Sequence, residues 1–136
     1  MNKIRKIQLK DELKYMGTTI LKYSIQCPEI IYTNNPKSKN IFNIYNKKIA
    51  KNLENYITTT LYEEAKKTYV YNKKNNFPVM VYEVILQYNI TYNRDYIISL
   101  YYDQYEFTGG AHRNYYSKFP KLGFTKWQTV SIIIFL

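Results

Sequence analysis

Tyr101, Tyr105, Thr108 and His112 are the residues whose types and spacing come nearest to a chemical site. They fall in one run, Tyr101-Tyr102-Asp103-Gln104-Tyr105-Glu106-Phe107-Thr108-Gly109-Gly110-Ala111-His112, and His112 is the only histidine of the chain. Histidine titrates near neutrality and can serve as acid, base or metal ligand. Gly109 and Gly110 supply positive φ angles without a Cβ penalty, so a tight turn there holds Thr108 and His112 close together. An exposed tyrosine can lie against the apolar face of a sugar while its hydroxyl hydrogen-bonds. Strand alternation sends Tyr102 to one face and Tyr101 and Tyr105 to the other, so one set is core. The exposed set, with Thr108, Gly109, Gly110 and His112 at the turn, is the candidate surface for a glycan or a protein.

Catalysis has little to draw on. Asp103 and Glu106 lie three apart on a strand and point to opposite faces, unlike a converging glycosidase pair. Glu63 and Glu64 diverge in the same way on a helix. No serine or cysteine nucleophile can be matched to a base, and 4 glycines in all leave no phosphate-cradling loop. His112 keeps three readings: a structural hydrogen bond within the turn, a ligand contact, or catalysis. Cys27 is the only cysteine, so it forms no disulfide within the chain, and with one histidine it cannot build a structural zinc site. It reads as a buried, inert thiol. No cofactor or metal is expected.

The net charge of +10 points to an anionic partner such as teichoic acid, nucleic acid or a membrane surface. Of the 20 basic residues 17 are lysine, and asparagine, isoleucine and 17 tyrosines are abundant too. All have AT-rich codons, so base composition alone also accounts for the charge. No ribonucleoprotein-type, helix-turn-helix or zinc signature accompanies it. Residues 1–14 have a basic start without the apolar run of a signal peptide, and Val130 to Leu136 is apolar but too short to span a bilayer, so it is either a buried strand or an abnormal end. The chain reads as soluble, and a secreted protein expressed without its leader would look the same.

The 136 residues fit one domain, 1–136, with a core that needs no staples. Leu21, Tyr23, Ile25 and Cys27 alternate with Lys22, Ser24 and Gln26 as a strand ended by Pro28. Asn34-Asn35-Pro36 then offers a helix cap followed by proline at a first helical position. A long helix over about Lys37 to Tyr71 follows. Its buried stripe is expected at Ile41, Tyr45, Ile49, Leu53, Tyr56 or Ile57, Leu61, Ala65 and Tyr69. Thr58-Thr59-Thr60 is β-branched and marks a break or kink, and Lys73 to Asn76 reads as a loop. Tyr82 to Tyr92 and Tyr96 to Phe107 alternate around an Asn93-Arg94-Asp95 turn, an antiparallel hairpin. Thr108 to Ala111 turns again and Arg113 to Phe119 returns as a further strand. The expected fold class is α+β, one long helix packed on an antiparallel meander.

From Tyr82 to His112 the chain reads YEVILQYNITYNRDYIISLYYDQYEFTGGAH. This resembles the extracellular domain found ahead of the PdaC-type peptidoglycan deacetylase and in the RsiV-type lysozyme-sensing anti-sigma factor. Cys27-Pro28-Glu29-Ile30 and the helix segment from Asn46 to Ile49 also look like the family's opening pattern. The family-like core covers about 20–117. Residues 120–136 are atypical. Codons for Lys126-Trp127-Gln128, read one base later, can encode the Asn-Gly-Lys turn of the family, so a frameshift shortly after Phe119 is expected, with Thr125 to Leu136 non-homologous.

The resemblance implies an α+β unit of bacterial envelope proteins, usually secreted or membrane-tethered, with no catalytic activity assigned to it. A metal-dependent deacetylase would need several histidines, so that activity is not carried over. The expected function is a non-catalytic cell-envelope binding or sensing module for peptidoglycan, teichoic acid or an exogenous protein. Lysozyme is disfavoured as that protein because common lysozymes are basic and a +10 partner repels them. A basic nucleic-acid module is the alternative from another class, and a wall-modifying hydrolase ranks lower.

Overall fold

The computed structural model describes residues 2–109 and 125–135. Strands β1 (Lys3–Tyr15) and β2 (Thr18–Tyr32) lead into helix α1 (Pro36–Tyr56). A π-helical turn (Ile57–Leu61) continues into α2 (Tyr62–Lys74), and β3 (Tyr82–Arg94), β4 (Ile97–Phe107) and β5 (Thr125–Phe135) complete the order. The five strands form one sheet in the order β1-β2-β3-β4-β5. Packed on one face by the long helix, it makes an α+β architecture.

The sheet is mixed, which corrects the expected antiparallel meander. β2 and β3 run parallel, with Leu21 opposite Tyr82 and Ile25 opposite Leu86. The reason lies in the connection. The helix returns the chain across the sheet before β3 begins, and a helical crossover joins parallel neighbours where a hairpin joins antiparallel ones. The other three pairings are antiparallel.

The cap forms as its residues dictate. Asn35 accepts through Oδ1 from the backbone N–H of Lys37 and Ser38, and Pro36 occupies the first turn. Threonine hydroxyls mark the π-helical turn: Thr58 donates to the Glu54 carbonyl at 2.9 Å and Thr59 to that of Asn55 at 2.5 Å. The expected break at 58–60 is therefore a widened turn. Helix then runs to Lys74, past the expected end, and Asn76 leaves it at φ 58.

The buried stripe of α1 is shifted by one position from expectation. Ile41 and Tyr45 are exposed, and Phe42, Asn46 and Ala50 are buried in their place, while Ile57, Leu61 and Ala65 are buried as expected. These meet Leu21, Tyr23, Ile25 and Cys27 of β2, Val84 and Leu86 of β3, and Leu100 and Tyr102 of β4. Fully burying such side chains contributes about 1.5–3 kcal/mol each before entropy is counted.

β1 was not anticipated, and the end expected from Val130 as a buried strand or an abnormal end belongs to strand β5, which begins earlier, at Thr125, and is mostly exposed where its side chains are described. β1 carries five basic residues and pairs with β2 through a turn at Met16 and Gly17, both at positive φ. β5 lies beside β4, with Leu100 opposite Ile132 and Gln104 opposite Gln128. The strand expected at Arg113 to Phe119 lies outside the described residues. Among the described residues no helix is long and apolar enough to cross a membrane.

Candidate functional site

β4 divides its side chains between two environments. Ile98, Leu100 and Tyr102 are buried under the helix. Tyr101, Asp103 and Tyr105 alternate with them and stand on the face of the sheet that the helix does not cover, all three half-buried. Tyr102 is thus the core member, and Tyr101 and Tyr105 are the accessible pair. Tyr101 lies between Asn89 and Ser131 in register, Tyr105 between Ile85 and Trp127. Four residues along a strand place their Cα atoms about 13 Å apart. Asp103 sits between them and accepts a hydrogen bond from the Thr129 hydroxyl at 2.7 Å. Around them Gln87, Asn89, Thr129 and Ser131 are exposed. Two tyrosines flanking a carboxylate, bordered by amides and hydroxyls, bring phenol groups and hydrogen-bond acceptors to this face.

The strand runs on toward the glycine turn. Thr108 is half-buried and Gly109 is buried at φ 115, a conformation that only glycine adopts without strain. Gly110 and His112 lie outside the described residues. Tyr101, Tyr105, Thr108 and Gly109 therefore share one strand and its end. Asp103 and Glu106 diverge as expected: Asp103 faces Thr129, whereas Glu106 interacts with Tyr56 on the helix side.

On the helix side the polar groups are tied into the core. The Tyr102 hydroxyl donates to Asn46 Oδ1 at 2.5 Å, and Asn46 Nδ2 donates to the Phe42 carbonyl at 2.9 Å. Tyr23 donates to Glu54 at 3.0 Å, and burial, reinforced by Glu54, pushes its phenol up to about 12. Burial pushes the Tyr102 phenol higher still and raises Cys27 as well. At neutral pH these groups are protonated donors and packing units, not nucleophiles. Cys27 is buried as expected. Glu29 is held below the usual carboxylate range, chiefly by the Lys47 ammonium at 2.9 Å and further by Arg5, against the opposing effect of burial. Among the described residues no group of three or more His, Cys, Asp or Glu side chains could hold a metal ion.

Two concavities were missed by sequence reasoning. A cleft of about 240 Å³ opens between α1 and β5, lined by Tyr45, Ile49, Leu86, Tyr102, Gln104, Gln128, Val130 and Ile132. A broader groove runs along α2 beside Tyr15. The first depends on the position of β5, which no motif announced. The second had a signal in the i, i+4, i+7 spacing of Lys67, Tyr71 and Lys74.

A family model described as Deacetylase PdaC matches residues 16–115. Among solved structures, a member of the DUF3298 family from Bacteroides fragilis NCTC 9343 superposes with a TM-score of 0.63 at 13% identity. The alignment covers 96% of this chain and 55% of that one, so this chain spans about half the length of that relative. At this identity the likeness is one of fold. No match is found among curated proteins.

Proposed function

The chain belongs to the PdaC family, and from that membership we propose that it is a non-catalytic binding module of the bacterial cell envelope whose ligand is a cell-wall glycan. The observation that carries this reading is the Tyr101–Asp103–Tyr105 row on the uncovered face of the sheet. Tyrosines about 13 Å apart engage different rings of an oligosaccharide rather than one sugar, which suits a polymer. Asp103 between them accepts from a ring hydroxyl, and Thr108 and Gly109 at the end of β4 continue the surface along the strand.

The non-catalytic part rests on geometry as well. Asp103 and Glu106 serve opposite faces, so these two carboxylates do not converge on one bond. Fluorescence titration with N-acetylglucosamine oligomers tests the reading. Affinity is expected to rise with oligomer length and to fall about tenfold in Tyr101→Ala and in Tyr105→Ala, the loss of one aromatic contact. Length-independent binding, or none, would count against it. Release of sugar or acetate from peptidoglycan, abolished by His112→Ala in a folded protein, would make the chain an enzyme instead.

A further inference from the structure

β5 is an outer strand of the sheet, and among the described residues it has a neighbouring strand on one side only, β4. An outer strand presents a row of backbone N–H and C=O groups to whatever lies beside it, and folds blunt such edges with charge. The opposite edge does so: β1 carries Lys3, Arg5, Lys6, Lys10 and Lys14 together with Asp11 and Glu12. β5 does not. Over its 11 residues, Thr125–Phe135, Lys126 alone is charged, and Ile133 and Phe135 are 64% and 76% exposed.

Both faces of the strand add apolar surface to this open edge. On the helix side Val130 and Ile132 line the cleft of about 240 Å³ with Tyr45 and Ile49 of α1, and Val130 is exposed. Ile41, one turn before Tyr45 on that helix, is exposed as well. On the uncovered face Ile133 and Phe135 stand in register with Ser99 and Ile97. A strand added here gains backbone hydrogen bonds from the edge and apolar contact on each side. The lack of charge decides which strand that is. A partner drawn to the +10 surface is acidic, and β5 offers it a cation only near its start. A second β5 meets no such mismatch, because antiparallel pairing about a two-fold axis sets a strand against itself. With Val130 opposite Val130, Lys126 falls opposite position 134 of the partner, about 27 Å along the pair from the partner's Lys126. That exceeds the screening length of about 10 Å at 0.1 M salt. An axis normal to the sheet also leaves both helices on one face, so the two clefts adjoin.

We propose that β5 is a self-association edge: two copies pair β5 with β5, antiparallel about a two-fold axis at Val130, and join their five-stranded sheets into one. The pairing does not rest on the glycan reading. Sedimentation velocity of the full chain from about 1 μM to about 1 mM tests it. A dimer is expected by about 100 μM. Because the copies repel through their net charge, association is expected to tighten several-fold between about 0.05 M and about 0.5 M salt. Val130→Lys/Ile133→Lys sets ammonium groups opposite one another at the axis and is expected to weaken the dimer about tenfold or more. Met16→Lys/Val70→Lys adds the same charge at exposed apolar positions away from β5 and is expected to weaken it far less. Circular dichroism verifies folding, and Ile133→Lys alone replaces the edge variant if it fails. A wild type still monomeric at about 1 mM, equal losses in the two charge variants, or growth into polymers that set β5 against β1 would each overturn the proposal.

Discussion

The hydroxyl of Tyr102, at the centre of β4, donates to the side-chain oxygen of Asn46 in α1, 56 residues earlier in the chain. Asn46 is 0% exposed and its amide nitrogen is satisfied by the Phe42 carbonyl, so the pair locks helix and sheet in one rotational setting. Tyr102→Phe keeps the ring but leaves the Asn46 oxygen buried and unsatisfied. The expected loss is about 1–3 kcal/mol in urea denaturation. A loss below about 0.3 kcal/mol would mean that the contact contributes nothing to stability.

Buried phenols set the alkaline limit. The Tyr23 phenol rises from its ordinary 10.0 to about 12 in the folded state, and that of Tyr102 rises as well. A raised value favours the protonated form in the native state, so its contribution is full below the unfolded value near 10 and is lost as pH rises through the folded value. Stability should begin to fall above about pH 8.5, where the Cys27 thiol ionises in the unfolded chain, and should fall most steeply between about 10 and 12 as the phenols follow. Tyr23→Phe should flatten part of that fall. Denaturation midpoints across the range check both.

At the acid end two carboxyls are held down, Glu54 chiefly by Lys51 and Glu29 chiefly by Lys47 and then Arg5. A depressed value contributes stability above the unfolded value near 4.3 and loses it as pH falls through the folded one. Glu29→Gln should cost about 1 kcal/mol at pH 7, because both cationic partners are more than half exposed. The difference between variant and wild type should vanish below about pH 3. A difference that persists there would assign the effect to packing.

The β1–β2 turn places Met16 at φ 51 and Gly17 at φ 78. Added carbon at Gly17 would meet nothing within 4 Å, so the cost of Gly17→Ala is backbone strain alone, about 1 kcal/mol. Met16 is 77% exposed and gains nothing there. Met16→Asn should stabilise by about 0.5–1 kcal/mol, since asparagine tolerates that conformation. Thermal denaturation of the two variants should shift in opposite directions.

These relationships show what the sequence could and could not announce. β2, β3 and β4 were legible because Leu21 to Cys27 and Tyr82 to Phe107 alternate apolar and polar residues, and the helix start was legible in Asn35 and Pro36. The helix stripe was misplaced by one position because its centre is Asn46, a polar residue buried for the sake of Tyr102, and hydropathy ranks Ile41 and Tyr45 above it. β1 was hidden by its lysines, which protect an edge strand, and by a turn built on Met16 rather than a usual turn residue. The parallel pairing of β2 and β3 depends on where the helix returns the chain, which alternation within strands does not encode. Of the candidate site, alternation separated Tyr102 from Tyr101 and Tyr105 but left open which side was core. The helix decides it. Residues Gly110 and His112 lie outside the described residues.

The most direct test of wall-glycan recognition is co-sedimentation of the protein with intact peptidoglycan sacculi, stripped of teichoic acid, across a salt series. Tyr101→Ala/Tyr105→Ala and His112→Ala variants are measured beside wild type. Recognition through the tyrosine face predicts binding that survives about 0.5 M salt, where surface charge is screened within a few ångströms, and that is lost in the tyrosine variant. No sedimentation, or sedimentation that salt removes equally from wild type and variant, would contradict it.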